Sequence, residues 1–280
     1  MKILVLGARG MLGQDLVPLL SLNYEAIARD IQDFDITNAQ RVEEEILRLK
    51  PQVVINAAAY TDVDGCESNR ELALSVNAKG AGNIAQACAL IQAKLIHLST
   101  DYVFDGSSAD PYQEDDRPNP LNVYGLSKLQ GELAIKESGA AYLIIRTQWL
   151  YGAHGRNFVD TIIKAAQKEK ELRVVNDQRG SPTYTKDLSS AIKEILEKNA
   201  QGIIHVANSG SCTWYEFAKE ILQQLGMKQI PIKPISSAEL ARPAKRPANS
   251  VLNCQKFEKI SGRKMRPWQE ALRDYLTSRY

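Results

Sequence analysis

Residues 2–13 read KILVLGARGMLG. Four apolar residues, Ile3 to Leu6, run into Gly7, and glycine recurs at Gly10 and Gly13. A stretch with helical period, MLGQDLVPLLSL, starts at Met11. A short all-apolar run fits a strand covered on both faces, as in parallel sheets, and the period after it fits a helix. The glycines therefore fall on a strand-to-helix turn. Lacking Cβ atoms, they permit a tight turn and let a pyrophosphate reach the N–H groups at the helix start. The spacing is G-x-x-G-x-x-G, one residue longer in its first interval than the usual dinucleotide pattern, and a plain tight turn is the alternative.

Outward from this turn, short β-rich runs alternate with helical patterns. YEAIAR (24–29), PQVVINAA (51–58), KLIHLST (94–100) and AYLIIRT (141–147) read as strands. NAQRVEEEILRLK (38–50), one long helix over RELALSVNAKGAGNIAQACALI (70–91) and a helix after Asn122 lie between them. This alternation predicts an α/β fold with a Rossmann-like doubly wound parallel sheet. Beyond Trp149 the rhythm loosens, and residues 228–250 (KQIPIKPISSAELARPAKRPANS) are rich in proline and basic side chains. The expected division is a dinucleotide-binding domain over 1–148 and about 174–200. A smaller, interleaved substrate domain then covers about 149–173 and 201–280.

Composition narrows the classes. With 280 residues, 44% hydrophobic and 24% charged, the chain is an ordinary globular protein, and a net charge of +2 gives no basis for nucleic-acid binding. Cys66, Cys88, Cys212 and Cys254 form no CxxC pair, so neither a metal site nor a disulfide framework is expected. His97 and His205 sit in apolar runs and read as core-strand histidines, with His154 far from both. The apolar start is too short for a leader or a membrane span, and a soluble cytoplasmic protein is the expectation.

The chemistry concentrates in PLNVYGLSKLQGE (120–132), where Tyr124 precedes Lys128 by four residues. Positions i and i+4 share a helix face. A cation beside a phenol favours the phenolate, and at roughly 4 Å with an effective dielectric near 20 the attraction is about 4 kcal/mol, or around three pKa units. Ser99 and Thr100 close the preceding strand, where ligands sit in open α/β sheets. Thr100, Tyr124 and Lys128 thus make a candidate catalytic set: a hydroxyl to hold a carbonyl oxygen, a phenol to protonate it, and an amine to tune the phenol. At the second strand end, Arg29 and loop residue Arg9 suit a 2′-phosphate, which favours NADPH, while Asp30 favours NADH. Asp35 is placed near an adenine or at a helix cap, and Asn56, Ala57 and Ala58 are small enough to lie against a cofactor. Thr61, Val63 and Asp64 follow toward the cleft.

These residues resemble the extended short-chain dehydrogenase/reductase superfamily, and within it the dTDP-4-dehydrorhamnose reductase family. The strings NAAAYTDVDGCE, STDYVFDG, PLNVYGLSKLQGE, IRTQWLYG, VVNDQRGSPT and RPANSVLN carry the resemblance in family order up to about residue 255. It implies NADPH-dependent reduction of the C4 keto group of dTDP-4-dehydro-β-L-rhamnose to dTDP-L-rhamnose, a cell-surface polysaccharide precursor, with NADH as second cofactor. It adds Met11, Leu12 and Ile36 to the cofactor contacts. It gives Thr61, Val63, Thr100, Tyr102, Tyr124, Trp149, Arg246 and Asn249 to the dTDP-sugar, Arg246 and Asn249 as a diphosphate clamp. Some members of the family pair two chains through magnesium. Here Asp15 keeps one acidic position but Lys186 occupies the other, so a monomer is expected. Gln148 stands where a serine is common. The alternatives are a reductase, epimerase or dehydratase of another nucleotide-linked keto-sugar, with no Asp–Glu pair here for dehydration, and a non-catalytic NADP-binding regulatory subunit of the methionine adenosyltransferase type.

Overall fold

The structure, a computed structural model, describes residues 1–279. In chain order the first half contains β1 (Lys2–Leu6), α1 (Met11–Ser21), β2 (Glu25–Arg29), α2 (Ala39–Leu49), β3 (Val53–Asn56), α3 (Val63–Ser68), α4 (Arg70–Leu74), α5 (Ala81–Leu90), β4 (Lys94–Thr100), α6 (Val123–Glu137) and β5 (Tyr142–Thr147). The second half contains β6 (Leu150–Tyr151), α7 (Phe158–Ala166), β7 (Leu172–Val175), β8 (Arg179–Gly180), β9 (Thr183–Tyr184), α8 (Thr185–Glu197), β10 (Gly202–His205), β11 (Cys212–Thr213), α9 (Trp214–Gln224), β12 (Ile232–Ile235), α10 (Ser237–Leu240), α11 (Gln255–Ser261) and α12 (Trp268–Arg279).

Six strands form one sheet in the order β10-β5-β4-β3-β1-β2, every neighbour parallel. Side chains alternate across it, as the strand period requires. Ile3, Val5, Ile55 and Ile96 pack with Leu12, Leu16 and Leu20 of α1 and with Leu188, Ile192 and Ile195 of α8. Leu4, Leu6, Val54 and Leu95 pack with Val42 and Ile46 of α2, Ile84 and Cys88 of α5, and Ile135 of α6 on the other face. The strand order reverses beside β1, which is flanked by β2 and β3, and a crevice opens at that point beyond the strand ends.

The expected division of the chain needs correction. Gly202–His205, assigned from sequence to the smaller domain, is the edge strand β10 and pairs with β5. Val174 and Val175, assigned to the larger one, belong to β7 and pair with β12 away from the main sheet. A separate core gathers Tyr151, Val159, Leu172, Tyr184, Phe217, Ile221, Trp268 and Tyr275, while Phe257 and Met265 fill the main core. An apolar tetrad such as GIIH carries no mark of which sheet it joins. Only the partner strand decides.

The long helix expected over 70–91 is interrupted by a π-turn at Ser75–Gly80, between α4 and α5. Asn77 explains it. Its amide accepts from Tyr60 N (2.8 Å) and donates to Tyr60 O (3.0 Å) and Ser127 Oγ (2.9 Å), binding the bulge to the β3–α3 loop and to α6. Helix α6 comes so near that a Cβ on Gly131 would lie 2.3 Å from the Asn77 carbonyl oxygen. Gly131→Ala is expected to destabilise the protein by about 1–3 kcal/mol through overpacking, read as a lower midpoint in urea. An unchanged midpoint would show that the α6 contact is looser than described.

Candidate active site

At the crevice, Gly7 has φ +75, and a Cβ there would stand 2.6 Å from Ala58 N, so only glycine fits. Gly10 caps α1 without any side-chain hydrogen bond, and a Cβ on Gly13 would meet Gly7 O at 2.4 Å. The first turn of α1, Met11 and Leu12 included, therefore follows directly on Gly10, which lies in the wall of a cavity of about 580 Å³, and its leading N–H groups have no side-chain cap. Leu12 itself points into the core. Gly7, Arg9, Gly10, Arg29, Asp35, Ile36, Ala57 and Ala58 line that cavity.

The two arginines are placed differently from each other. Arg9 lies exposed at the rim, its N–H donating to Asp30 Oδ2 at 2.8 Å. Arg29 donates from Nε to Glu45 Oε1 at 3.0 Å, and Arg48 shares that carboxylate. Asp30 also accepts from Ile31 N, so its carboxylate braces the loop. Asp35 accepts from Thr37 N at 2.8 Å in the turn before α2, and the cap of that helix is Asn38.

Asn56, Thr100, Tyr124 and Lys128 come together at the ends of β3 and β4 and the start of α6. Asn122 caps α6 through Gly125 N (2.8 Å), and a Cβ on Gly125 would lie 2.1 Å from Tyr102 O. That closeness sets Tyr124 against Tyr102, their rings edge to face at 5.9 Å. Thr100 Oγ1 donates to Asp101 Oδ1 at 3.0 Å. Burial pushes Asp101 up to about 7, against the hydrogen bonds it accepts. Burial likewise raises the Tyr124 phenol, the Asp101 charge adds to this, and the neighbouring Thr100 hydroxyl opposes it.

Lys128 departs from the expected arrangement. Its ammonium was to lower the phenol. Instead Nζ turns inward, 2.6 Å from the Leu98 carbonyl and 3.2 Å from His97 Nε2. Burial brings the amine down to about 8, partly offset by the Glu132 charge. Glu132 is fully buried, salt-bridged to Arg146 at 2.7 Å and accepting from Ser99 Oγ at 2.6 Å. No spacing rule links Ser99 to Glu132 and Arg146, and sequence reading placed Ser99 at the strand end but missed its two partners and the burial of Asp101.

The expected sugar and diphosphate contacts lie over the same end of the sheet. Thr61 is exposed on the β3–α3 loop and Val63 opens α3. Arg246 grips Asp64 through both carboxylate oxygens (2.6 and 2.9 Å), and Arg242 and Ala244 N join them. The Arg246 guanidinium, helped by the Ala244 amide and Arg242, holds Asp64 down at about 2. The loop rich in proline is thereby tied to α3. Asn249 donates to Ser108 O at 2.9 Å, so its amide holds that loop. Trp149, at φ +48, stacks on Trp214 with ring centroids 3.4 Å apart, leaving one ring face covered. Gln148 accepts from Ser181 N. Asp15 accepts from Thr185 Oγ1 at 2.5 Å, next in sequence to Lys186. No described helix is long and apolar enough to cross a membrane.

A cavity at the switch point of a doubly wound sheet, with proton-handling side chains one strand away, marks the class of dinucleotide-dependent reductases and epimerases. The chain belongs to the family described as RmlD substrate binding domain, whose model matches residues 1–280. It is 43% identical to the spore coat polysaccharide biosynthesis protein SpsK of Bacillus subtilis, over 99% of this chain and 98% of that one. It is 42% identical to a dTDP-4-dehydrorhamnose reductase of Streptomyces griseus, over 96% and 91%. The crystal structure of dTDP-4-dehydrorhamnose reductase from Bacillus anthracis in complex with NADP superposes with a TM-score of 0.95 at 40% identity, covering 99% of each chain.

The buried lysine sets a measurable pH dependence. Its folded value of about 8 lies below the unfolded value, so the unfolded chain binds more protons between them. Wild-type stability is therefore expected to rise from about pH 8 to about 10, by on the order of 2 kcal/mol relative to Lys128→Met. Parallel urea-midpoint profiles for the two proteins would contradict the burial of this amine.

Proposed function

We propose that this chain reduces the C4 keto group of dTDP-4-dehydro-β-L-rhamnose with NADPH, giving dTDP-L-rhamnose. The observation that carries the reading is the Tyr124 phenol, kept protonated by burial beside the Thr100 hydroxyl. A reductase needs a proton donor at the oxygen that gains charge, and a neutral phenol is one. Kinship with proteins named dTDP-4-dehydrorhamnose reductase supports the choice of sugar.

The glycine turn fits a dinucleotide: missing Cβ atoms leave the cradle open, and the uncapped start of α1 offers N–H groups and a positive dipole end to a pyrophosphate. Nicotinamide, when bound, supplies the hydride. Gly7, Gly10, Gly13, Met11 and Leu12 hold the diphosphate, with Asp35, Ile36, Asn56, Ala57 and Ala58 along the wall. Arg9 meets the 2′-phosphate. Arg29 joins it by giving up part of its Glu45 contact, and the two guanidiniums favour NADPH over NADH. Thr100 donates to the substrate oxygen in place of Asp101, Tyr124 protonates it, and Lys128 turns outward to support the phenol. Tyr102, Trp149, Thr61 and Val63 shape the sugar site. Arg246 exchanges part of its Asp64 contact for the diphosphate, with Asn249 holding the loop. The chain acts as a monomer, because Lys186 stands where a second carboxylate would be needed to share a metal ion with Asp15.

Tyr124→Phe keeps the ring and removes the proton. Its kcat is expected to fall about 10²–10⁴-fold with NADPH affinity unchanged, followed by NADPH oxidation with the keto-sugar. Turnover within about tenfold of wild type would remove Tyr124 from the donor role.

A further inference from the structure

His97 and Asn56 stand opposite each other on β4 and β3, and both are 1% exposed. Asn56 Nδ2 lies 3.1 Å from His97 Nδ1, and Lys128 Nζ lies 3.2 Å from His97 Nε2. The amide cannot turn over freely, because Asn56 Oδ1 accepts from Ala58 N at 3.1 Å. Asn56 therefore shows N–H to the ring, and Nδ1 must be the acceptor. A neutral imidazole has one N–H, which then falls on Nε2. That N–H faces the lysine. An ammonium has three donors and no acceptor, so it would set donor against donor. A neutral amine accepts the Nε2–H with its lone pair and still donates to Leu98 O at 2.6 Å. A doubly protonated ring would meet Asn56 with a second donor. Burial first, and the nearby Lys128 charge second, disfavour it as well.

Other charges near the amine are already spoken for. Glu132, on the same helix, is paired with Arg146 from β5 and accepts from Ser99 of β4. Tyr124, one turn back on α6, is a neutral phenol.

We propose that His97 is a positioning residue for Lys128: its tautomer, dictated by Asn56, holds the neutral form of the amine inward. The hold is connected to the cofactor cavity, since Ala58, whose N–H fixes the Asn56 amide, lines its wall. A ligand pressing on that wall releases the lysine to turn outward and gain its proton. The inference rests on the reading of Lys128 as a partner of Tyr124.

The test is magnetic resonance on the whole, cofactor-free protein, labelled with ¹⁵N in histidine and ¹³C at lysine Cε. At pH about 8.5 the expected result is a His97 ring protonated at Nε2 and bare at Nδ1. Lys128 is expected to titrate at or below about 8, well under the ~10.4 of free lysines. Saturating NADPH is expected to move the Lys128 signal to that of an ammonium. Asn56→Asp, which offers Nδ1–H an acceptor, should transfer the ring proton to Nδ1 and raise the Lys128 titration by at least about one unit. A ring protonated at Nδ1 in the wild type, an ammonium at Lys128 at that pH, or a Lys128 signal indifferent to NADPH would overturn the proposal. These readouts need no turnover, so a silent reductase assay and a wrong tautomer are separate results.

Discussion

The contact on which the site depends is backbone against backbone: Gly7, in a left-handed conformation, lies where any Cβ would strike Ala58. The chain leaving β1 thus passes directly over the chain leaving β3. Parallel strands continue in the same direction beyond the sheet, so two loops of ordinary residues would collide or splay there. Glycine lets them touch. The turn then carries the start of α1 beneath the crevice, with its N–H groups unspent. The cavity, its wall of Ala57 and Ala58 and the fixed Asn56 amide follow from that approach.

A second constraint is polar and buried. Ser99, Glu132 and Arg146 are linked behind Thr100, and Arg146 Nη1 reaches toward His205 Nε2 at 3.5 Å while stacking over Phe104. A lone carboxylate or guanidinium here would be very costly, and removing one partner of such a pair strands the other. The network pins β4, α6 and β5 in one relative position. Thr100 ends β4 and Tyr124 begins α6, so the same links set the distance between hydroxyl and phenol. Stability and geometry are therefore coupled at this site. Lys128 is the exception: its inward amine is held at the expense of desolvation.

Much of the site was legible because it obeys local rules. The glycine intervals, the Tyr124–Lys128 spacing and the position of Thr100 at a strand end all follow from chain periods and from the sheet's open edge. His97 was legible only in part. An apolar run marks it as buried, and it is, but its bonds to Asn56 and Lys128 span 41 and 31 residues. Asp64 was placed toward the cleft, yet its partner Arg246 lies 182 residues on. The π-turn was hidden because α4 and α5 both have helical period, and one extra residue in the bulge needs Asn77 and its contacts with Tyr60 and Ser127.

By itself the sequence determined the strand–helix alternation up to about residue 147, the parallel sheet, the glycine turn and which helix face bears phenol and amine. These depend on repeat lengths and on residue types a few positions apart. Tertiary structure decided that β10 joins the main sheet while β7 leaves it, that Arg246 binds Asp64, and that Lys128 faces His97. The physical reason is that a period assigns a side chain to a face but not to a rotamer or a partner. A buried amine goes where an acceptor awaits it, and the acceptors at Leu98 and His97 exist only once β4 and α6 have packed.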